Sequence, residues 1–233
     1  FVTVQNCGVT LDENGRKVLV TEDIRNGNGR TIKSRYSTPN RVDKIQEPIQ
    51  SIFWIMKDDA LPPLVKITDP RLASILGCTL MTKRSNAENT GAGANLDALV
   101  IEPYANPFRV YPLVEDYEKF KALFDKDVDC YIINTGDYLG KKVTKEVSLG
   151  VIETVVDGKA NFELFGGLPG MEYLPVEGYE VPDMNGEYAE LIRDRMQFRL
   201  DYLKAFNDAN PEHQIPQDAL ESIKTIERFI DVL

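Results

Sequence analysis

Ser51-Ile-Phe-Trp-Ile-Met56 carries five large apolar side chains in succession and no charge. A continuous apolar run of this length predicts a β-strand covered on both faces, and therefore one at the centre of a sheet. Downstream, Asp69-Pro70 marks a helix start: the aspartate can accept from the first amides, and proline loses nothing at the first helical position. The helix is expected over Arg71 to Met81. Leu96 to Ile101 and Cys130 to Ile133 are predicted as buried strands. The charged helix between them, Leu113 to Asp125, sets Tyr117, Phe120 and Phe124 on one face. That order is a strand-helix-strand unit.

After the turn Asp137-Tyr-Leu-Gly140, a second helix is expected from Lys145 to Val156, ending at Gly158. Residues 163 to 186 are loop-rich, punctuated by Gly166-Gly167, Pro169-Gly170, Pro175 and Pro182. Ile192, Met196, Leu200 and Leu203 recur at helical spacing, as do Leu220, Ile223, Ile226, Ile230 and Leu233, which predicts two amphipathic closing helices. Upstream, Val9-Thr-Leu11 and Lys17-Val-Leu-Val20 flank Asn14-Gly15, the signature of a hairpin over residues 8 to 21. A glycine-rich connection, Asn26-Gly-Asn-Gly29, follows it. Residues 85 to 95 are small and polar, the composition of a mobile loop, whether a lid or a plain surface linker.

These elements predict a mixed α/β (α+β) fold in which a mixed sheet is flanked by helices, forming a single domain over residues 1–233. Residues 1–50 hold the hairpin and an arginine-containing connection, 51–160 the α/β core, and 161–233 the loop-rich segment and closing helices. The chain opens on Phe1-Val-Thr-Val4 without an initiating Met, which is read as a fragment of a longer protein.

Composition narrows the function classes. Twenty-seven basic against 37 acidic residues leave a net charge of −10, a surface that repels nucleic-acid backbones and anionic lipid head groups. Neither nucleic acid nor membrane is expected as a partner. With no apolar run of spanning length and no signal-peptide pattern, a cytoplasmic location is expected. Cys7, Cys78 and Cys130 lack metal or disulfide spacing and are predicted to be buried apolar side chains.

Common catalytic constellations are missing. His213, the single histidine, stands in a polar loop beside Pro211 and is expected to be solvated rather than a general base. Gly136-Asp-Tyr-Leu-Gly140-Lys141 is one residue too short for a Walker A loop and has no Ser or Thr after the lysine. It still follows a buried strand and leads into a helix, so it is either a ligand-facing turn or an exposed one. Asp58-Asp59 offers two carboxylates for a hard cation, or a solvated turn. Arg35 and Arg41 are suited to gripping phosphate or carboxylate, or to structural salt bridges.

Five blocks stand out in one order along the chain. They are Arg35-Tyr-Ser-Thr-Pro39 with Val42-Asp-Lys-Ile45, Phe53 to Leu61-Pro-Pro63, and Thr82-Lys-Arg-Ser-Asn-Ala-Glu88. Asn106-Pro-Phe108 with Tyr111-Pro112 comes next, and the last is Tyr131-Ile-Ile-Asn-Thr-Gly136 through Gly140-Lys-Lys-Val-Thr144 to Ser148. Together these blocks resemble a divergent branch of the ATP-dependent phosphoenolpyruvate carboxykinases, and the resemblance covers residues 1 to 205. It implies a C-terminal domain in which Arg35 contacts the transferred phosphate and the acid substrate, while Gly140, Lys141, Lys142, Val143 and Ser148 line an ATP pocket closed by the 85–95 lid. Lys142 stands where the family has Arg, and Ser148 where it has Thr. An ammonium neither stacks nor forks as a guanidinium does. The family's phosphate loop and the residues that hold Mg or Mn would lie on an upstream N-terminal domain, so this chain alone is expected to be inactive. Two other readings stay open: a non-catalytic nucleotide-binding or interaction domain of the same fold, and a small-molecule kinase of that fold group.

Overall fold

The computed structural model describes residues 2–5, 8–20, 30–33, 36–37, 44–83, 98–106 and 109–232. The chain divides into two compact units, Phe1–Pro48 with Lys83–Ala98, and Ile49–Thr82 with Leu99–Leu233. In the first, β1 (Val2–Gln5), β2 (Gly8–Leu11), β3 (Lys17–Val20) and β4 (Arg30–Lys33) form two separate antiparallel ladders, β1 with β4 and β2 with β3. The β2–β3 hairpin is the expected one. Its turn is fastened by the Asp12 carboxylate, which accepts from the Asn14 and Arg16 amides at 2.9 and 2.8 Å. The 85–95 loop, Arg35 and Arg41 lie outside the described residues.

The second unit begins with β5 (Ser51–Met56) and β6 (Leu64–Ile67), followed by α1 (Pro70–Cys78), β7 (Met81–Lys83), β8 (Leu99–Ile101) and α2 (Leu113–Phe124). Then come β9 (Asp129–Asn134), the short β10 (Asp137–Tyr138) and β11 (Lys141–Lys142), and α3 (Lys145–Val156). β12 (Glu163–Leu164), β13 (Met171–Tyr173), α4 (Gly186–Ala209) and α5 (Gln217–Ile230) complete it. The main sheet is mixed, in the order β12-β13-β6-β9-β5, with only β5 and β9 parallel. The α/β class with helices flanking a mixed sheet is therefore present. Among the described residues no helix is long and apolar enough to cross a membrane.

Side chains alternate across this sheet as the pleat requires. Trp54, Met56, Val65, Ile67, Cys130 and Ile132 face the larger core, built with α1, α2, α4 and α5. Leu64, Tyr131 and Ile133 face the other way, onto Val151 of α3. Cys78 and Cys130 are free and buried, as expected, and burial pushes the Cys78 thiol up to about 12.

Three expectations are corrected. β5 is not central: among the described residues it pairs with β9 alone, and Ile55 is 64% exposed. The run is apolar because Trp54 and Met56 enter the core while Phe53 stacks on Tyr131 at 4.8 Å, not because two strands flank it. β8 does not join the sheet beside β9 but pairs with β7, leaving the parallel position to β5. α1 ends at Cys78 rather than Met81: the Thr79 amide turns back to the Leu76 carbonyl, and Met81 enters a ladder.

The α1 start is as the sequence predicts. Asp69 accepts from the Arg71 and Leu72 amides, and Pro70 opens the helix. Burial pushes the Asp69 carboxyl up, but the hydrogen bond to Arg71 and those two amides outweigh it and hold it below the ordinary carboxylate value. A group depressed in this way stabilises the fold above its unfolded pKa and loses that contribution as pH falls through the folded one. Asp69→Ala is therefore expected to lower the unfolding free energy by about 1 kcal/mol at neutral pH. The difference from the parent should shrink as the pH drops below the carboxylate range, measured by urea denaturation; a pH-independent difference would count against the cap.

Candidate functional site

The parallel strands β5 and β9 end side by side at Met56 and Asn134, and the buried polar residues Asp58, Asn134 and Arg199 meet there. Asn134 is fully buried, and its side chain is the hub of the edge. Its Nδ2 donates to the carbonyls of Asp58 (2.8 Å), Leu61 (2.6 Å) and Asp137 (3.0 Å), while Oδ1 accepts from the Gly136 amide at 2.9 Å. Gly136 suits a close approach: a Cβ there would stand 3.1 Å from Cβ of Lys57, tighter than an ordinary contact. The Asn-Thr-Gly of the strongest resembling block thus has a structural role of its own, joining the end of β9 to the turn after β5.

Residues 137 to 142 form a two-residue hairpin. Leu139 and Gly140, with φ of 47° and 78°, both adopt the left-handed backbone that such a turn demands, and Gly140 does so without steric cost. Several amides of the segment are already committed. Thr135 donates to the Met56 carbonyl, Leu139 to that of Asp59, and Val143 to that of Gly136. Residues 139–142, at the tip of the turn, are exposed.

The hairpin side chains differ in what they have left to offer. Lys141 places its ammonium 4.4 Å from the centroid of the Tyr179 ring and donates to the Gly178 carbonyl. Tyr179 in turn donates to the Lys142 carbonyl at 2.6 Å. Lys142 is exposed and spends one of its three N–H groups on the Thr135 carbonyl at 3.3 Å, which leaves donors for an anionic or carbonyl-bearing ligand. Val143 is buried beneath the hairpin. Ser148, in the first turn of α3, donates back to the Thr144 carbonyl at 3.1 Å and keeps its acceptor lone pairs. Alongside lies a cavity of about 280 Å³, lined by Tyr173, Pro175, Val176, Tyr179 and Val181 with Glu177 and Glu180 at its rim. Gly140, Lys141, Lys142 and Val143 are thus one structural unit, and its uncommitted donors lie on Lys142.

Asp58 and Asp59 are neither a solvated turn nor a cation pair. Asp58 is 1% exposed, and its Oδ1 accepts from the Ala60 amide and from Arg195 Nε, both at 3.1 Å. Its Oδ2 accepts from Arg199 Nη2 at 3.3 Å. Asp59 accepts from Arg195 Nη2 at 2.6 Å. A divalent cation would have to displace two guanidinium groups, so the pair does not fit cation ligation. Among the described residues no group of three or more His, Cys, Asp or Glu side chains is placed to hold a metal.

Arg195 and Arg199 were not singled out in the sequence, though a signal existed. Arg199 falls within the apolar stripe Ile192, Met196, Leu200 and Leu203 of α4, where a charge demands a buried partner. Burial pulls the Arg199 guanidinium below its ordinary value, against the opposing charge of Asp58. Burial also pulls Arg195 down, but its bonds to Asp59 and Asp58 prevail and raise it. His213 is exposed in the α4–α5 connection, as expected.

Removing one member of a buried ion pair leaves the other charge uncompensated. Asp58→Ala is expected to cost about 3 to 5 kcal/mol of stability, and Asp58→Ala with Arg199→Met distinctly less. Chemical denaturation of both variants checks this, and equal losses would contradict the pairing. No family model and no curated protein matches this chain.

Proposed function

We propose that this chain is the nucleotide-facing part of a phosphoenolpyruvate carboxykinase-like protein, which interconverts oxaloacetate and ATP with phosphoenolpyruvate, CO2 and ADP. One juxtaposition carries the reading. The resembling blocks Phe53–Pro63 and Tyr131–Ser148, far apart in sequence, meet at the C-terminal ends of the parallel pair β5 and β9, the edge at which α/β sheets take ligands. In this reading Lys142 contacts the nucleotide, with Gly140, Lys141, Val143 and Ser148 shaping its seat. Arg35 contacts the transferring phosphoryl group and the small carboxylic acid. The phosphate loop and the divalent metal, Mg or Mn, belong to an upstream domain of the same protein. Bound ATP and metal supply the transferable phosphoryl group and its charge neutralisation; the residues of this chain bind and orient.

The committed amides of the 135–143 segment favour a second reading, a nucleotide-binding or interaction domain without turnover. Kinetics separate the two. In the full-length protein, Lys142→Ala should weaken ATP binding roughly ten- to a hundredfold, the worth of one charge-assisted hydrogen bond, with saturated turnover less affected. Arg35→Ala should lower kcat far more than nucleotide affinity, because its bonds strengthen as the phosphoryl group moves. ATP binding without oxaloacetate decarboxylation would select the second reading, and indifference of both properties to both substitutions would overturn the assignment. Residues 1–233 alone should show no ATP-dependent decarboxylation; turnover by this chain would refute the dependence on upstream groups.

A further inference from the structure

The hairpin that carries Lys141 and Lys142 does not stand on its own strands. Its Leu139 amide donates to the Asp59 carbonyl at 2.9 Å, and its Asp137 carbonyl shares the Asn134 side chain with those of Asp58 and Leu61. The ring of Tyr138 meets that of Tyr188 edge-on, their hydroxyls are 3.3 Å apart, and Tyr188 donates to the Ala60 carbonyl at 2.9 Å. The links from Leu139 and Asp137 pass through the turn Asp58–Leu61, that from Tyr138 reaches α4 directly at Tyr188, and the turn is itself held from α4. Arg195 bridges both carboxylates with its fork, Arg199 takes the other oxygen of Asp58, and Tyr188 takes Ala60. Arg195 is the member that grips Asp59 directly, and the Asp59 carbonyl is the acceptor on which the hairpin tip hangs.

We infer that Arg195 of α4 is a positioning residue for the ligand edge: by fixing Asp58 and Asp59 it sets the placement of the 137–142 hairpin, and with it Lys142. The mount is a statement about this chain's geometry. Only its last link, the effect on ATP, rests on the nucleotide reading. A guanidinium is required because one planar fork must satisfy two carboxylates on adjacent residues, which a lysine ammonium at the end of a flexible stem does less well.

The test is amide hydrogen exchange and ATP titration of the full-length protein carrying Arg195→Ala, Arg195→Lys or Asp59→Asn. Asp59→Asn keeps the shape of a half-exposed side chain, so it remains readable if Arg195→Ala fails to fold. Arg193→Ala is the control, since Arg193 lies on the same helix but pairs with Glu190 and with Asp231 after α5. The Leu139 amide should exchange roughly tenfold faster or more in Arg195→Ala and Asp59→Asn, less so in Arg195→Lys, and unchanged in Arg193→Ala, while the β6 and β9 amides stay protected. ATP affinity should fall in the same order. Unchanged Leu139 exchange in folded Arg195→Ala and Asp59→Asn overturns the mount. If Leu139 exchange rises and Lys142→Ala weakens ATP binding while Arg195→Ala does not, the coupling to the ligand is overturned. If Leu139 exchange rises while neither Lys142→Ala nor Arg195→Ala alters ATP binding, the mount is upheld and the nucleotide reading fails.

Discussion

A carboxylate with almost no access to water, Asp58, is tolerable in this fold only because two guanidinium groups and a backbone amide converge on it. The cost of stripping water from such charges is repaid only by complete, well-directed pairing. That requirement fixes where α4 must lie against the end of β5, and the rest of the edge inherits its geometry. Asn134, Tyr188 and Leu139 all bond to the backbone that Asp58 and Asp59 hold in place. The two sheet faces are apolar and forgiving of small shifts, whereas this corner is built from directed bonds.

The same corner separates two kinds of meaning in a short motif. Tyr131-Ile-Ile-Asn-Thr-Gly136 resembles a family block associated with a ligand, yet in this molecule its asparagine and glycine serve the connection between strand and turn. Both meanings are compatible. A ligand edge at the end of parallel strands needs rigid loops, and a fully satisfied buried amide side chain is an efficient way to obtain them. What faces outward from that frame is Lys142 and the rim beside Tyr179, and the proposed chemistry depends on those groups.

Local signals were legible in the sequence wherever the physics was local. Asp69-Pro70 opens α1 and Gly158 follows the end of α3 because these roles are decided within one helical turn. The apolar stripe of α4, and that of α5 as far as Ile230, read correctly because each faces one core, while Leu233 lies outside the described residues. Where neighbours decide, the sequence was silent. Ser51–Met56 states a demand for burial but not which strands meet it, so its place at one side of β9 was hidden. Asp58-Asp59 reads the same whether its counter-charge is water, metal or arginine, and the arginines lie 137 and 141 residues away. β13, inside a stretch punctuated by glycine and proline, is a strand because β6 offers it a ladder, and β12 pairs in turn with β13.

That separation along the chain has a temporal side. During synthesis from the N-terminus, the β2–β3 hairpin can close as soon as it emerges, because its contacts are near neighbours. The parallel pairing of Ser51 with Asp129 must wait for the whole intervening segment. Asp58 must wait longer still, since at about 5 to 20 residues per second Arg199 follows it by on the order of ten seconds or more. Through that interval its carboxylate has no internal counter-charge and is best left in water, which holds the turn after β5 open. The core beneath it is built in part from Ile192, Met196, Leu200 and Leu203 of α4, so core and ion pair alike are completed only after that helix has been made.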